Sequence, residues 1–175
     1  EVEAGGITKD WRDIRHLVIL PFYKEGLEIV RPSFLSLARS DYPLEKMFVV
    51  LTVEEKGGEE AMNVAREIEK EFSGRFGKFL VTAHPAGLAG EIPGKGSNET
   101  WGVRQAKENM IDPENIDYEN IMVSVFDVDT VVPPGYFSCL AYFESLLYKR
   151  LKIIQAIPEL QINISLKLLF DGTVC

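Results

Sequence analysis

Ile121-Met122-Val123-Ser124-Val125-Phe126-Asp127-Val128-Asp129-Thr130 is an apolar run that ends in two carboxylates one residue apart. Polar residues 112–120 precede it and Pro133-Pro134-Gly135 follow, so it reads as a buried strand with the acids at its C-terminal tip. In an open α/β sheet that edge is where loops converge on a crevice and ligands bind. Two hard oxygen donors placed there suit Mg²⁺ or Mn²⁺, which take one or two protein carboxylates and complete their shells with phosphate oxygens and water. Asp127 and Asp129 are therefore a candidate metal-diphosphate site. A solvated strand end is the other reading of so short a pattern in a chain with 27 acidic residues, and the surrounding elements must decide between them.

Upstream, His16-Leu17-Val18-Ile19-Leu20, Met47 to Val53 and Phe79 to Ala83 are short apolar runs of strand type, the first ended by Pro21. Between them lie segments with helical spacing. Leu27, Val30, Phe34, Leu37 and Ala38 form one, stopped by Ser40-Asp41-Tyr42-Pro43; Pro32 inside it predicts either a kink or the true helix start. Met62, Ala65, Ile68 and Phe72 form a second that Gly74 ends, and Ser97 or Asn98 caps a third running through Trp101, Ala106 and Met110. Downstream of the acids, Pro134-Gly135 leads into a helix carrying Phe137, Leu140, Ala141, Leu147 and Tyr148. Regular alternation of strand and helix is the signature of an α/β fold, a largely parallel sheet with helices on both faces. The tail changes period: Ile162, Ile164, Leu166, Leu168 and Phe170 alternate with mostly polar partners, which predicts late strands near 151–157 and 161–170 at a sheet edge.

With 175 residues, 46% of them apolar, the chain supports one sizeable core, and one domain over 1–175 is expected. A formal net charge of -8 argues against tracking a nucleic-acid backbone, which needs a basic face. A nucleotide remains a possible ligand if a local cation or a bound metal supplies positive charge. No stretch approaches the roughly 18 to 20 uninterrupted apolar residues of a membrane helix. Cys139 and Cys175 match neither a disulfide framework nor a zinc spacing and point to a reducing compartment.

Gly94-Lys95-Gly96-Ser97-Asn98 combines glycines that permit close backbone approach with a lysine at a helix start, a pairing that favours an anion. It is not a Walker A loop, because Ala89 and Gly96 stand where that motif needs Gly and Ser/Thr; Glu99 at the third glycine position also excludes the dinucleotide fingerprint. A flexible loop is its alternative reading. His16 and His84 lie outside any ligand cluster and read as structural or solvated, and Trp101 as core. Glu54, at the tip of the second strand, shares the sheet edge with Asp127. Asp127-Val128-Asp129-Thr130-Val131 also resembles the nucleophile motif of haloacid-dehalogenase-type phosphatases, in which the first Asp attacks phosphorus. That family carries the motif on its first strand, whereas three strands precede it here.

Together, Val18-Ile19-Leu20-Pro21-Phe22-Tyr23-Lys24-Glu25, Ser40-Asp41-Tyr42-Pro43, Gly94-Lys95-Gly96-Ser97-Asn98 and Phe126-Asp127-Val128-Asp129 resemble glycosyltransferase family 2 enzymes of the GT-A fold over residues 15–150. The resemblance implies a UDP- or GDP-sugar donor, with Pro21, Tyr23 and Glu25 near the nucleoside and Lys95 near the donor. It implies that Asp127 approaches the ribose or the metal and that Asp129 ligates Mn²⁺ or Mg²⁺ bridging the diphosphate. A metal there stabilises the charge that grows on the leaving diphosphate as the anomeric bond breaks. Where many members carry Asp-Asp after the second strand, this chain has Thr52-Val53-Glu54-Glu55, which moves the base contact to Glu54. The family's acceptor half, with its catalytic acid, lies beyond the Asp-x-Asp. Here Gln155-Ala156-Ile157-Pro158 is still family-like, after which the resemblance stops, so no catalytic base is assigned. The expectation is a metal-dependent, inverting transferase truncated before its acceptor half, with an unknown acceptor and a donor site on the cytoplasmic side. A donor-binding piece without turnover and the phosphatase are the alternatives.

Overall fold

The structure is a computed structural model and describes residues 10–91 and 94–151, with side chains described as far as Ser145. The expected late strands, Gln155-Ala156-Ile157-Pro158 and Cys175 lie outside the described residues. Among the described residues, four strands alternate with four α-helices: β1 (Arg15–Phe22), α1 (Leu27–Leu37), β2 (Met47–Glu54), α2 (Gly58–Phe72), β3 (Lys78–His84), α3 (Lys95–Ala106), β4 (Ile121–Val125) and α4 (Tyr136–Leu151). The strands form one parallel sheet in the order β3-β2-β1-β4. The chain starts in the middle, winds outward to β3, then crosses to the other side of β1 for β4. Strand order reverses between β1 and β4, and at such a switch point the loops above the strands part to leave a crevice.

Alternation along β1 and β2 divides the core. Val18, Leu20, Val49 and Leu51 pack with Phe34 of α1, Phe72 of α2 and Phe137 of α4. Leu17, Ile19, Phe48 and Val50 face the other way, against Ala106, Met110 and Ile111 from α3 and the π-helical turn that continues it. Both faces are covered, so the strands read as unbroken apolar runs rather than as alternating ones. Each fully buried Leu, Ile, Val or Phe contributes roughly 1.5–3 kcal/mol of transfer free energy. His16 sits fully buried in this core, edge-on to Tyr42 (4.6 Å between ring centroids) and Phe137 (5.0 Å), which is the structural role expected of it.

Three boundaries differ from the sequence reading. Pro21 does not end β1: the strand runs on to Phe22, with Pro21 opposite Thr52 of β2. The Ile19 carbonyl accepts from Phe126 N at 3.0 Å, so Pro21, two residues on, points to the same side; there the ladder to β4 has already stopped at Ile19 and Val125. The missing N–H therefore costs no ladder bond. α1 begins at Leu27, before Pro32, which lies inside it. α3 begins at Lys95 with Gly94 as N-cap, so neither Ser97 nor Asn98 caps it. Gly94 takes φ 154, a conformation that other residues rarely adopt, and this lets the loop turn directly into the helix.

Candidate functional site

Above the switch point, the loops after β1, β2 and β4 and the first turn of α3 enclose a cleft of about 240 Å³. The β1 end contributes Pro21, Tyr23 and Glu25, the β2 end Glu54, α3 Lys95 and Asn98, and the loop after β4 Asp127 and Asp129. Every residue that the sequence singled out for a ligand thus faces one space. Asn98, named in the sequence reading as a cap and as the end of the Gly94–Asn98 stretch but given no ligand role of its own, joins them.

Local hydrogen bonds explain how each residue is held. Glu25 Oε2 accepts from the backbone N–H groups of Tyr23 and Lys24, both at 3.0 Å, so this carboxylate shapes the turn that leaves β1. The Lys24 ammonium lies 4.9 Å from the Tyr23 ring centroid. The acids stand in a turn just beyond β4, closed by Thr130 N–H donating to Asp127 O at 2.9 Å. Between them Val128 points inward, 3% exposed, while Asp127 and Asp129 point out. Two buried serines of α1 pin the loop from below: Ser33 Oγ donates to Val128 O at 2.6 Å, and Ser36 Oγ accepts from Val132 N at 3.0 Å. Sequence reasoning missed them; their signal was two small polar residues on the buried side of a helix. The Ser40-Asp41-Tyr42-Pro43 segment fastens the next stretch, because Asp41 N–H donates to Pro134 O and the Asp41 carboxylate accepts from Ser138 at the start of α4.

Charge in the cleft is organised by Lys95. Its ammonium is ion-paired with Asp127 and lies 4.0 Å from Glu99 Oε1. The hydrogen bond to Asp127 raises the Lys95 pKa above the ordinary lysine value, aided by the charges of Asp127, Glu99 and Asp129. Glu99 is raised chiefly by burial, with Asp127 adding to the shift and Lys95 opposing it. The first turn of α3 has N–H groups without partners inside the helix, and its positive dipole end lies beside the cleft. Asn98, 1% exposed, donates from Nδ2 to Thr52 O at 3.0 Å, and its Oδ1 has no partner among the described residues.

No group of three or more His, Cys, Asp or Glu able to hold a metal exists among the described residues. The donor set on offer, Asp127 and Asp129, is a partial shell of hard oxygens. Such a shell suits Mg²⁺ or Mn²⁺ that keeps water and takes phosphate oxygens from a ligand; it does not suit a structural zinc.

A smaller recess continues from Glu54 over the end of β3. There His84 Nε2 meets Glu91 Oε2 at 2.9 Å, and Glu55 Oε2 accepts from Ala86 N at 2.7 Å. The His84 ring lies 5.4 Å from that of Trp101, whose Nε1 donates to Thr82 Oγ1 at 2.9 Å. His84 and Trp101 are thus both held by packing and hydrogen bonds.

Fold and site together define an α/β protein with an open parallel sheet and a polar, acid-rimmed cleft at its switch point. The chain matches no protein-family model and no curated protein. Among solved structures it is similar to S. aureus TarS 1–349 in complex with UDP-GlcNAc, at TM-score 0.53, and in complex with UDP, at TM-score 0.52, with 18% identity in each case. Each match covers 74% of this chain but only 31% and 32% of those chains, so the chain spans about a third of the length of the structures it matches. At that identity the likeness is one of fold.

Proposed function

We propose that the cleft binds the nucleoside diphosphate of a sugar nucleotide, and that residues 15–150 are the donor-binding core of a metal-dependent, inverting glycosyltransferase of the GT-A, family 2 kind. The observation that carries this reading is the meeting, at one switch point, of the Asp127/Asp129 pair with the lysine-bearing N-terminus of α3. A diphosphate needs both a cation on its oxygens and backbone donors, and this arrangement supplies places for each. The UDP and UDP-GlcNAc complexes of TarS, which shares the fold, make a uridine nucleotide the natural first ligand to try.

In this reading Asp129 and Asp127 hold Mn²⁺ or Mg²⁺, which as a Lewis acid supplies stabilisation of the leaving diphosphate. The chain's residues orient the donor. The turn Tyr23-Lys24-Glu25 borders the nucleoside, Glu54 offers a carboxylate to the N–H edge of the base, and α3 presents donors and Lys95 to the phosphates. Among the described residues, none is assigned as the base that deprotonates the acceptor.

Hydrogen–deuterium exchange with and without UDP and Mn²⁺ tests the location. Protection confined to residues 21–25, 54–55, 94–99 and 127–130 is expected. Protection elsewhere, or none at saturating ligand, contradicts the assignment. Release of phosphate from simple phosphate esters would instead favour Asp127 as a nucleophile.

A further inference from the structure

We infer that Lys95 is a resident counter-ion of Asp127, and that a divalent cation binding the acid pair competes with it. The inference rests on the metal-diphosphate reading of Asp127 and Asp129, and its test is separate from the test of donor binding.

Three observations carry it. First, Lys95 Nζ is ion-paired with Asp127 Oδ1 and sits 4.0 Å from Glu99 Oε1. One ammonium therefore serves carboxylates on two facing elements, the acid loop and α3. Second, Lys95 is the first residue of α3, so the side chain that reaches the acid rises from the helix end best suited to an anion. Third, the pair is at the surface: the Lys95 and Asp127 side chains are 54% and 63% exposed. The lysine can leave its partner by rotating a flexible stem, with no rearrangement of the core.

The physical consequence follows from charge. An ammonium and a divalent cation repel each other at short range and compete for Asp127, whose Oδ1 Lys95 already holds, so each weakens the other's hold on that carboxylate. Without metal, Lys95 offsets the mutual repulsion of Asp127, Asp129 and Glu99. When metal arrives, the released ammonium lies beside the N-terminus of α3, where a metal-bound diphosphate would meet it. Metal alone should then bind weakly, because it competes with the lysine.

The test is a titration of Mn²⁺ alone, followed by electron paramagnetic resonance, into the full 175-residue protein and three variants at fixed pH and salt. Lys95→Met should bind Mn²⁺ about tenfold more tightly than the parent, equivalent to about 1.4 kcal/mol. Lys95→Arg should keep the parent affinity. Lys70→Met, which removes an equal charge on the outer face of α2, should also leave it unchanged. Equal or weaker Mn²⁺ affinity in Lys95→Met, absence of Mn²⁺ binding in parent and variant alike, or the same tightening in Lys70→Met would overturn the inference. UDP binding is measured separately. If Lys95→Met tightens Mn²⁺ as stated while UDP fails to bind, the counter-ion role stands and the donor reading falls.

Discussion

Asp129 and Asp127 look equivalent in sequence and differ in the fold. Asp127 is engaged by Lys95, whereas Asp129 stands exposed in the turn beyond it and reaches the cleft unhindered. If Asp129 is the carboxylate that holds the metal against the diphosphate, Asp129→Ala should weaken UDP binding in Mn²⁺ at least tenfold, about 1.4 kcal/mol, with no change in the unfolding midpoint. Equal affinity in that variant, measured by equilibrium dialysis, removes the metal role. Glu25 shows the limit of reading single residues. Its place after β1 was legible from the Pro21-Phe22-Tyr23-Lys24-Glu25 string, but the work of its carboxylate, bonding two backbone N–H groups in its own turn, was not.

At the scale of elements, the cleft depends on how α1 and α3 seat against the sheet and the acid loop. Ser33 satisfies a buried carbonyl between the two acids, so Ser33→Ala should cost about 1–2 kcal/mol in urea unfolding and weaken UDP binding by loosening residues 127–132. Loss of stability with unchanged binding would show that the loop keeps its geometry without this anchor. On the opposite face α3 approaches closely because residue 102 is glycine. A Cβ there would meet the Thr52 hydroxyl and stand 3.0 Å from Ile19 Cγ2. Gly102→Ala is expected to destabilise by about 1–3 kcal/mol, read from the same unfolding curves; an unchanged midpoint would mean that α3 shifts freely. The start of α3 was misread because capping chemistry is local, whereas Asn98 Nδ2 is committed to the Thr52 carbonyl on another element.

For the whole molecule, alternation of strand and helix was legible because each apolar run and each helical stripe is a local pattern. Sheet order was not: β1, β2 and β3 are short parallel strands with similar Val- and Leu-rich composition, and nothing local says that β4 pairs with β1 on its free side. The switch point, and with it the cleft, exists only once that pairing forms. The buried His16 gives this core a pH dependence. Burial lowers its pKa from 6.5 to about 3, so between those values the unfolded chain takes up a proton that the fold refuses. Its stabilisation is complete above pH 6.5 and declines as pH falls toward 3, with a loss of about 2 kcal/mol by pH 5. His16→Leu should remove that component of the difference between urea curves at pH 7 and pH 5, and an identical difference in the variant would contradict the assignment. The central claim, a metal-assisted nucleoside diphosphate site at the switch point, is tested most directly by isothermal titration of UDP and GDP into the protein with Mn²⁺ and then with excess chelator. Saturable binding of one nucleotide that chelator abolishes is the predicted result; a folded protein that binds neither nucleotide, or binds one equally well without metal, would contradict it.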